Sequence, residues 1–228
     1  MQDWWRTTSW YRNHLLRKSN NEALSAYLRT PLPDPGLPVM EAEYLALDFE
    51  TTGLDPQKDA ILSAGYTTIR NGRVILKESG HCLIRIDVPL SESSVVIHQI
   101  TDDVMAQGVP LSVMMEELLQ RMQGRVLLVH YAAIERGFLN AACRKLYGLS
   151  LPLRIVDTLE IEKRRLLRRE QGIAKGQLRL FNLRRHYNLP RYRAHNALED
   201  ALSTAELFLA QMSLRQSEKS DLLLRDIV

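Results

Sequence analysis

Apolar positions run unbroken through Tyr44-Leu45-Ala46-Leu47 and lead into Asp48-Phe49-Glu50. A strand over residues 44–49 follows from this pattern. Successive strand side chains face opposite ways, so Asp48 and Glu50 share one face while Phe49 points into the core. Apolar runs at 60–69 and 73–86 predict a second and third strand, and the Asn71-Gly72 pair between them is a tight hairpin signal. Helical spacing over 112–122 runs through Val113, Met114, Leu118 and Leu119. A short buried strand at 126–129, a helix at 134–147, a second buried strand at 153–156 ending at Asp157, and helices at 178–187 and 196–212 complete the pattern. A hairpin followed by strand–helix alternation predicts an α/β fold, a mixed sheet covered by helices.

Upstream, residues 1–30 read as a helical extension with Leu15, Leu16, Leu24 and Leu28 as packing positions and all three tryptophans, Trp4, Trp5 and Trp10. Four prolines at 31–38 read as an extended linker. The expected organisation is therefore an extension at 1–30, a linker at 31–42, a main domain at 43–212 and a short charged tail at 213–228.

Composition narrows the class. A hydrophobic content of 45% supports a packed core. The absence of an apolar stretch of about 18 residues predicts no membrane span, and a start without an apolar segment argues against secretion. Cys82 and Cys143 have no metal-type spacing and read as reduced thiols of a cytoplasmic protein. The net charge of +3 says little, but its distribution says more. Eleven basic residues and one acid, Glu170, lie between Lys163 and Arg193, so this stretch carries +10 and the remainder −7. That asymmetry fits a polyanion-binding face, with Lys163, Arg164, Arg165, Arg168 and Arg169 as its densest part.

The chemistry concentrates in three acidic clusters. Asp48 and Glu50 repel each other in a low-dielectric site, and a divalent cation with a preference for oxygen ligands removes that cost. Asn196 with Glu199 three residues on resembles a helix capping box, which puts His195 just before a helix and Asp200 on its opening turns. A histidine titrates near neutrality and suits a general base. Glu135 falls on the first turn of the helix after a buried strand, where sites gather in α/β sheets; a favourable acid at a helix N-terminus is the alternative.

With these clusters in this order, residues 43–212 resemble the DEDDh, or DnaQ-like, 3′–5′ exonuclease superfamily, which includes the proofreading subunit of DNA polymerase III. Asp48-Phe49-Glu50-Thr51-Thr52-Gly53-Leu54 is similar to the first family motif, and His195-Asn196-Ala197-Leu198-Glu199-Asp200 matches the third, His-x-Ala-x-x-Asp. His98-Gln99-Ile100-Thr101 and Asp157-Thr158-Leu159 resemble two further family segments. The second motif departs: His130-Tyr131-Ala132-Ala133-Ile134-Glu135 stands where the family has His-Asn-x-x-Phe-Asp, so glutamate replaces aspartate and tyrosine replaces asparagine.

The resemblance implies a ribonuclease H-like, five-stranded mixed sheet and hydrolysis of phosphodiesters from the 3′ end with two divalent cations, Mg2+ or Mn2+. It implies that Asp48 bridges both ions, that Glu50 and Asp200 hold the ion activating the attacking water, that Glu135 completes the shell, and that His195 takes the proton. Thr51, Thr52, Gly53, Leu54 and His98 are then expected to line the terminal nucleotide. Expected partners are 3′ ends of single-stranded DNA or RNA, with residues 1–30 available to a protein partner and a homodimer compatible with the family. Two other readings stay open, a binding module that has lost turnover through Glu135 and an accessory subunit of a polymerase or repair assembly.

Overall fold

The computed structural model describes residues 8–86, 107–192, 196–218 and 222–228. Five strands form one sheet: β1 (Tyr44–Thr51), β2 (Ile61–Arg70), β3 (Arg73–Leu83), β4 (Val126–Val129) and β5 (Ile155–Asp157). Their spatial order is β3-β2-β1-β4-β5. β2 runs antiparallel to β1 and β3, whereas β4 is parallel to β1 and β5. The hairpin turn between β2 and β3 places Asn71 at φ 51° and Gly72 at φ 66°, the left-handed pair that a two-residue turn of this hand requires.

Seven helices among the described residues cover the sheet: α1 (Ser9–Leu16), α2 (Glu22–Arg29), α3 (Leu111–Arg121), α4 (Ala133–Tyr147), α5 (Thr158–Arg168), α6 (Leu180–His186) and α7 (Ala197–Glu218). The period-two alternation of β1 divides them. Leu45, Leu47 and Phe49 enter one core with Met114 and Leu118 of α3 and Phe138 and Leu139 of α4. Tyr44 and Ala46 enter the other with Phe208 and Met212 of α7. Asp48 and Glu50 belong to the second set by parity, so they end up on the face that α7 covers.

Leu15, Leu24, Tyr27 and Leu28 of the first two helices are buried in the first core. Arg12 is buried as well and donates to the carbonyls of Tyr27, Leu28 and Thr30, satisfying acceptors that the end of α2 leaves open. Tyr27 Oη donates to the Pro152 carbonyl at 2.6 Å. The proline-rich stretch is fastened too: Pro38 bridges to Leu223, and the Leu37 and Pro35 carbonyls accept from Leu224 and Arg225. Leu222, Leu224 and Ile227 are buried against Val39 in the second core.

Two sequence expectations are corrected, and one element is added that the pattern did not assign. Val113 is exposed, and Met115 takes its place beside Met114, Leu118 and Leu119 in the core. The stretch after Asp157 is a helix, α5, whose buried face includes Ile161 and Leu166. Within it Arg165 is buried and paired with Glu162 at 2.5 Å, and Lys163 pairs with Glu160 at 3.0 Å. The Arg165 charge is therefore spent inside the fold, and the cationic face of this helix is carried by the exposed Arg164, Arg168 and Arg169.

Candidate active site

α7 reaches the sheet through small residues. Ala197 and Ala201 are fully buried, and Gly65 of β2 receives the start of the helix. A Cβ at Gly65 would lie 2.0 Å from the Ala197 carbonyl carbon and 2.1 Å from the Leu198 nitrogen. Gly65 is the register partner of Asp48. The close approach therefore brings the opening turn of α7 directly over the end of β1. Asn196 fixes that turn, its Oδ1 accepting from the Leu198 and Glu199 backbone N–H groups at 3.1 Å, as an N-cap should.

The result is convergence: carboxylate oxygens of Asp48, Glu50 and Asp200 all lie within 4.8 Å of one another. Asp48 and Glu50 come from the strand pattern, Asp200 from a helix some 150 positions later in the chain. A register shift between Glu50 and Thr51 ends the regular pairing of β1 with β2 at this point, a common device for re-aiming side chains near sites.

Glu135 approaches from the opposite layer. Pairing of β1 with β4 stops at Ala46 and Leu128. The Glu135 carboxylate is buried there, and the nearby backbone of Phe49 and of Glu135 itself partly offsets the rise in its pKa. Its Oε2 is buried with no hydrogen-bond partner among the described residues. Glu135 acts electrostatically on Asp48 but stands outside the tight cluster of three.

Burial and mutual repulsion hold these acids far from their ordinary range. Asp48 is raised well above the usual carboxylate range by burial, then by Glu135, Asp200 and Glu50. Glu50 is pushed to about 7 by burial and by Asp200. Glu135 is pushed to about 8, mainly by burial, with Asp157 adding to the rise. Among the described residues, the charges that act on Asp48 are the carboxylates of Glu135, Asp200 and Glu50. Hard oxygen donors, close spacing and clustered negative charge are the chemistry of a divalent-cation site, so these residues fit the ions that the family resemblance implied.

The first-motif loop is ordered by a residue that the motif reading passed over. Asp59 accepts from Thr52 Oγ1 at 3.2 Å and from the Asp55 N–H at 2.8 Å. Its carboxylate fills the space where a Cβ on Gly53 would stand, 2.5 Å away. Thr51 Oγ1 donates to the Gly53 carbonyl at 2.6 Å, and Leu54 projects from the loop 77% exposed. His98 and His195 lie outside the described residues.

Asp157 has a role that its place in a recurrent segment did not reveal. It caps α5 through the Leu159 N–H at 2.9 Å and also accepts from the Tyr131 and Ala132 N–H groups at 3.0 and 2.8 Å. One buried carboxylate thus fastens the end of β5 to the start of α4, the helix that carries Glu135. Asp157→Ala removes a cap worth about 1 kcal/mol and strands two further donors. A loss of about 3 kcal/mol in urea denaturation is expected.

His130 completes the frame. Its Nε2–H donates to the Leu178 carbonyl at 3.0 Å, leaving Nδ1 to accept from the Thr158 hydroxyl at 2.8 Å. Burial drives its pKa down to about 4 against the pull of Asp157, so this histidine is a neutral structural clamp.

Comparison with known proteins agrees with this geometry. Residues 45–208 match the model of the RNase_T family, described as exonuclease. The chain is 31% identical over 168 residues to the PolC-type DNA polymerase III of Thermotoga petrophila, covering 74% of this chain and 12% of that protein. It is 29% identical over 170 residues to the DNA polymerase III subunit epsilon of Treponema pallidum, covering 75% of this chain and 76% of that one. Among solved structures, E. coli exonuclease I in complex with a dT13 oligonucleotide superimposes with a TM-score of 0.65 at 18% identity, over 79% of this chain and 43% of that one. The chain thus spans only a small part of the PolC-type relatives that it matches.

Proposed function

This chain belongs to the exonuclease family, which its residues 45–208 match, and from that premise we propose that it removes nucleoside 5′-monophosphates from the 3′ ends of single-stranded DNA or RNA. The observation that carries the proposal is the convergence of Asp48, Glu50 and Asp200 within 4.8 Å. In this reading the three carboxylates hold two divalent cations, Mg2+ or Mn2+, with Glu135 supporting Asp48 from the opposite layer. Bound there, the cations supply the positive charge that keeps the acids ionised and polarise the scissile phosphate and the attacking water.

The chain's own groups do the rest. His195, next to the Asn196 cap in sequence, accepts a proton from the water as its oxygen attacks phosphorus. The bond from phosphorus to the 3′ oxygen breaks, and that oxygen leaves with a proton from solvent. Leu54, exposed at the tip of the first-motif loop, packs against the terminal nucleotide. Thr51, Thr52 and Gly53, braced by Asp59, present backbone to it, and His98 is proposed for the same subsite. Arg164, Arg168 and Arg169 on the outside of α5 offer phosphate contacts.

The test is digestion of 5′-labelled single-stranded DNA and RNA of one sequence with Mg2+, Mn2+ or EDTA. A ladder that shortens from the 3′ end and vanishes in EDTA is expected. Retention of both strands without products would make the chain a binding module and sink the proposal.

A further inference from the structure

A groove of about 420 Å³ opens beside the second motif, lined by His130, Tyr131, Leu159, Ile173, Leu178 and Arg179 among others. Tyr131 is 53% exposed and sits at φ 74°, a left-handed conformation that a bulky side chain enters only at a cost. Its backbone is held there by Asp157, through the N–H bonds of Tyr131 and Ala132. The opposite wall is held as firmly, because His130 ties the Leu178 carbonyl. The fold thus maintains an exposed aromatic ring in a strained position at a rigid apolar cleft.

Two further features say what the cleft accepts. Arg179 lines it with no ion pair among the described residues, and Lys175 lies four positions earlier in the same strongly basic stretch. Apolar walls, an aromatic face and an unneutralised guanidinium match a nucleobase with its phosphate. The groove is also tied to the candidate active site through the chain: Tyr131 lies four residues before Glu135, which acts on Asp48, and Asp157 fastens the Tyr131 backbone at the start of the helix that carries Glu135.

We infer that Tyr131 and the groove beside it form a subsite for a base of the substrate strand on the 5′ side of the scissile phosphate, with Arg179 taking the adjoining phosphate. The inference rests on the function proposed above. Stacking on an aromatic tolerates any base, so the subsite grips the strand without reading its sequence.

The decisive variant is Tyr131→Gly, since glycine adopts this φ without strain. It is expected to leave thermal stability equal or higher while raising the KM for an oligothymidylate roughly 5- to 100-fold, with kcat changed less than about threefold. Tyr131→Phe keeps the ring and restores the wild-type KM. In the wild type, one abasic nucleotide moved along the strand raises KM at a single position, and Tyr131→Gly abolishes that penalty. A Tyr131→Gly enzyme that hydrolyses with wild-type KM overturns the subsite and leaves the exonuclease reading standing. A wild-type protein that hydrolyses nothing overturns both.

Discussion

Asp48→Asn is expected to lower phosphodiester hydrolysis roughly a thousandfold or more while raising the stability of the metal-free protein. Asp48 lies at the centre of the negative field, with Glu135, Asp200 and Glu50 all acting on it. Losing its charge removes several kcal/mol of cation-mediated transition-state stabilisation, and about 4 kcal/mol corresponds to three powers of ten. The same loss relieves repulsion that the fold bears without cations. A gain of about 1 kcal/mol would raise Tm by roughly 2–4 °C in EDTA. A merely structural aspartate would show the reverse pattern.

The same electrostatics fix a pH dependence. Glu50 and Glu135 titrate near 7 and 8 in the fold, against an ordinary glutamate value of 4.5. The folded state binds these protons more tightly than the unfolded chain does. Their contribution is therefore fully present below about pH 4.5 and is lost as pH rises through 7 and 8. His130 opposes this only below its ordinary 6.5, where its depressed value makes protonation favour unfolding. From pH 6.5 to 8.5, metal-free protein should lose stability and Mg2+ should restore it, by about 3 kcal/mol at a hundredfold excess over its dissociation constant. A magnesium-induced Tm shift that does not grow across this window would contradict the assignment.

Gly65→Ala should be nearly as damaging to turnover, although the residue carries no chemistry. A methyl group there meets backbone at 2.0 Å, and backbone cannot rotate away as a side chain can. The first turn of α7 must lift by more than about 1 Å, and Asp200 moves with it. Misplacement on that scale costs about a hundredfold in rate, and overpacking adds about 1–3 kcal/mol of instability. Retention of a folded circular dichroism spectrum, a weakened Mn2+ affinity and a partial rescue of kcat at high Mn2+ would identify displacement of Asp200. Wild-type turnover in a folded Gly65→Ala protein would show that α7 has another way to seat itself.

Much of this site was legible in the sequence because its parts obey local rules. The parity of β1 separates Phe49 from Asp48 and Glu50, and the Asn196 cap places Asp200 within the first turn of its helix. The turn at Asn71-Gly72 and the short apolar strand at 126–129 follow from equally local signals. What stayed hidden depends on partners distant in the chain. Nothing near Gly65 announces that a helix beginning at residue 197 will rest on it. Asp157 reads as a strand end, yet it caps the helix that follows, and two of its three bonds reach back to Tyr131 and Ala132. The helix α5 was obscured by its own charges: only Ile161 and Leu166 mark its apolar face, while the Glu162–Arg165 pair is buried beside them. A count of basic residues could not tell Arg165, neutralised inside the fold, from Arg164 and Arg168 on its surface.

The central claim is that Asp48, Glu50 and Asp200 hold the divalent cations on which strand hydrolysis depends. Its most direct test is a Mn2+ titration followed by electron paramagnetic resonance at pH 8, for wild type and Asp48→Asn, with hydrolysis of a 5′-labelled oligonucleotide measured in the same samples. Wild-type turnover is expected to rise in step with bound Mn2+, and Asp48→Asn to lose both together. Turnover in EDTA, or Mn2+ binding that Asp48→Asn leaves intact, would contradict it.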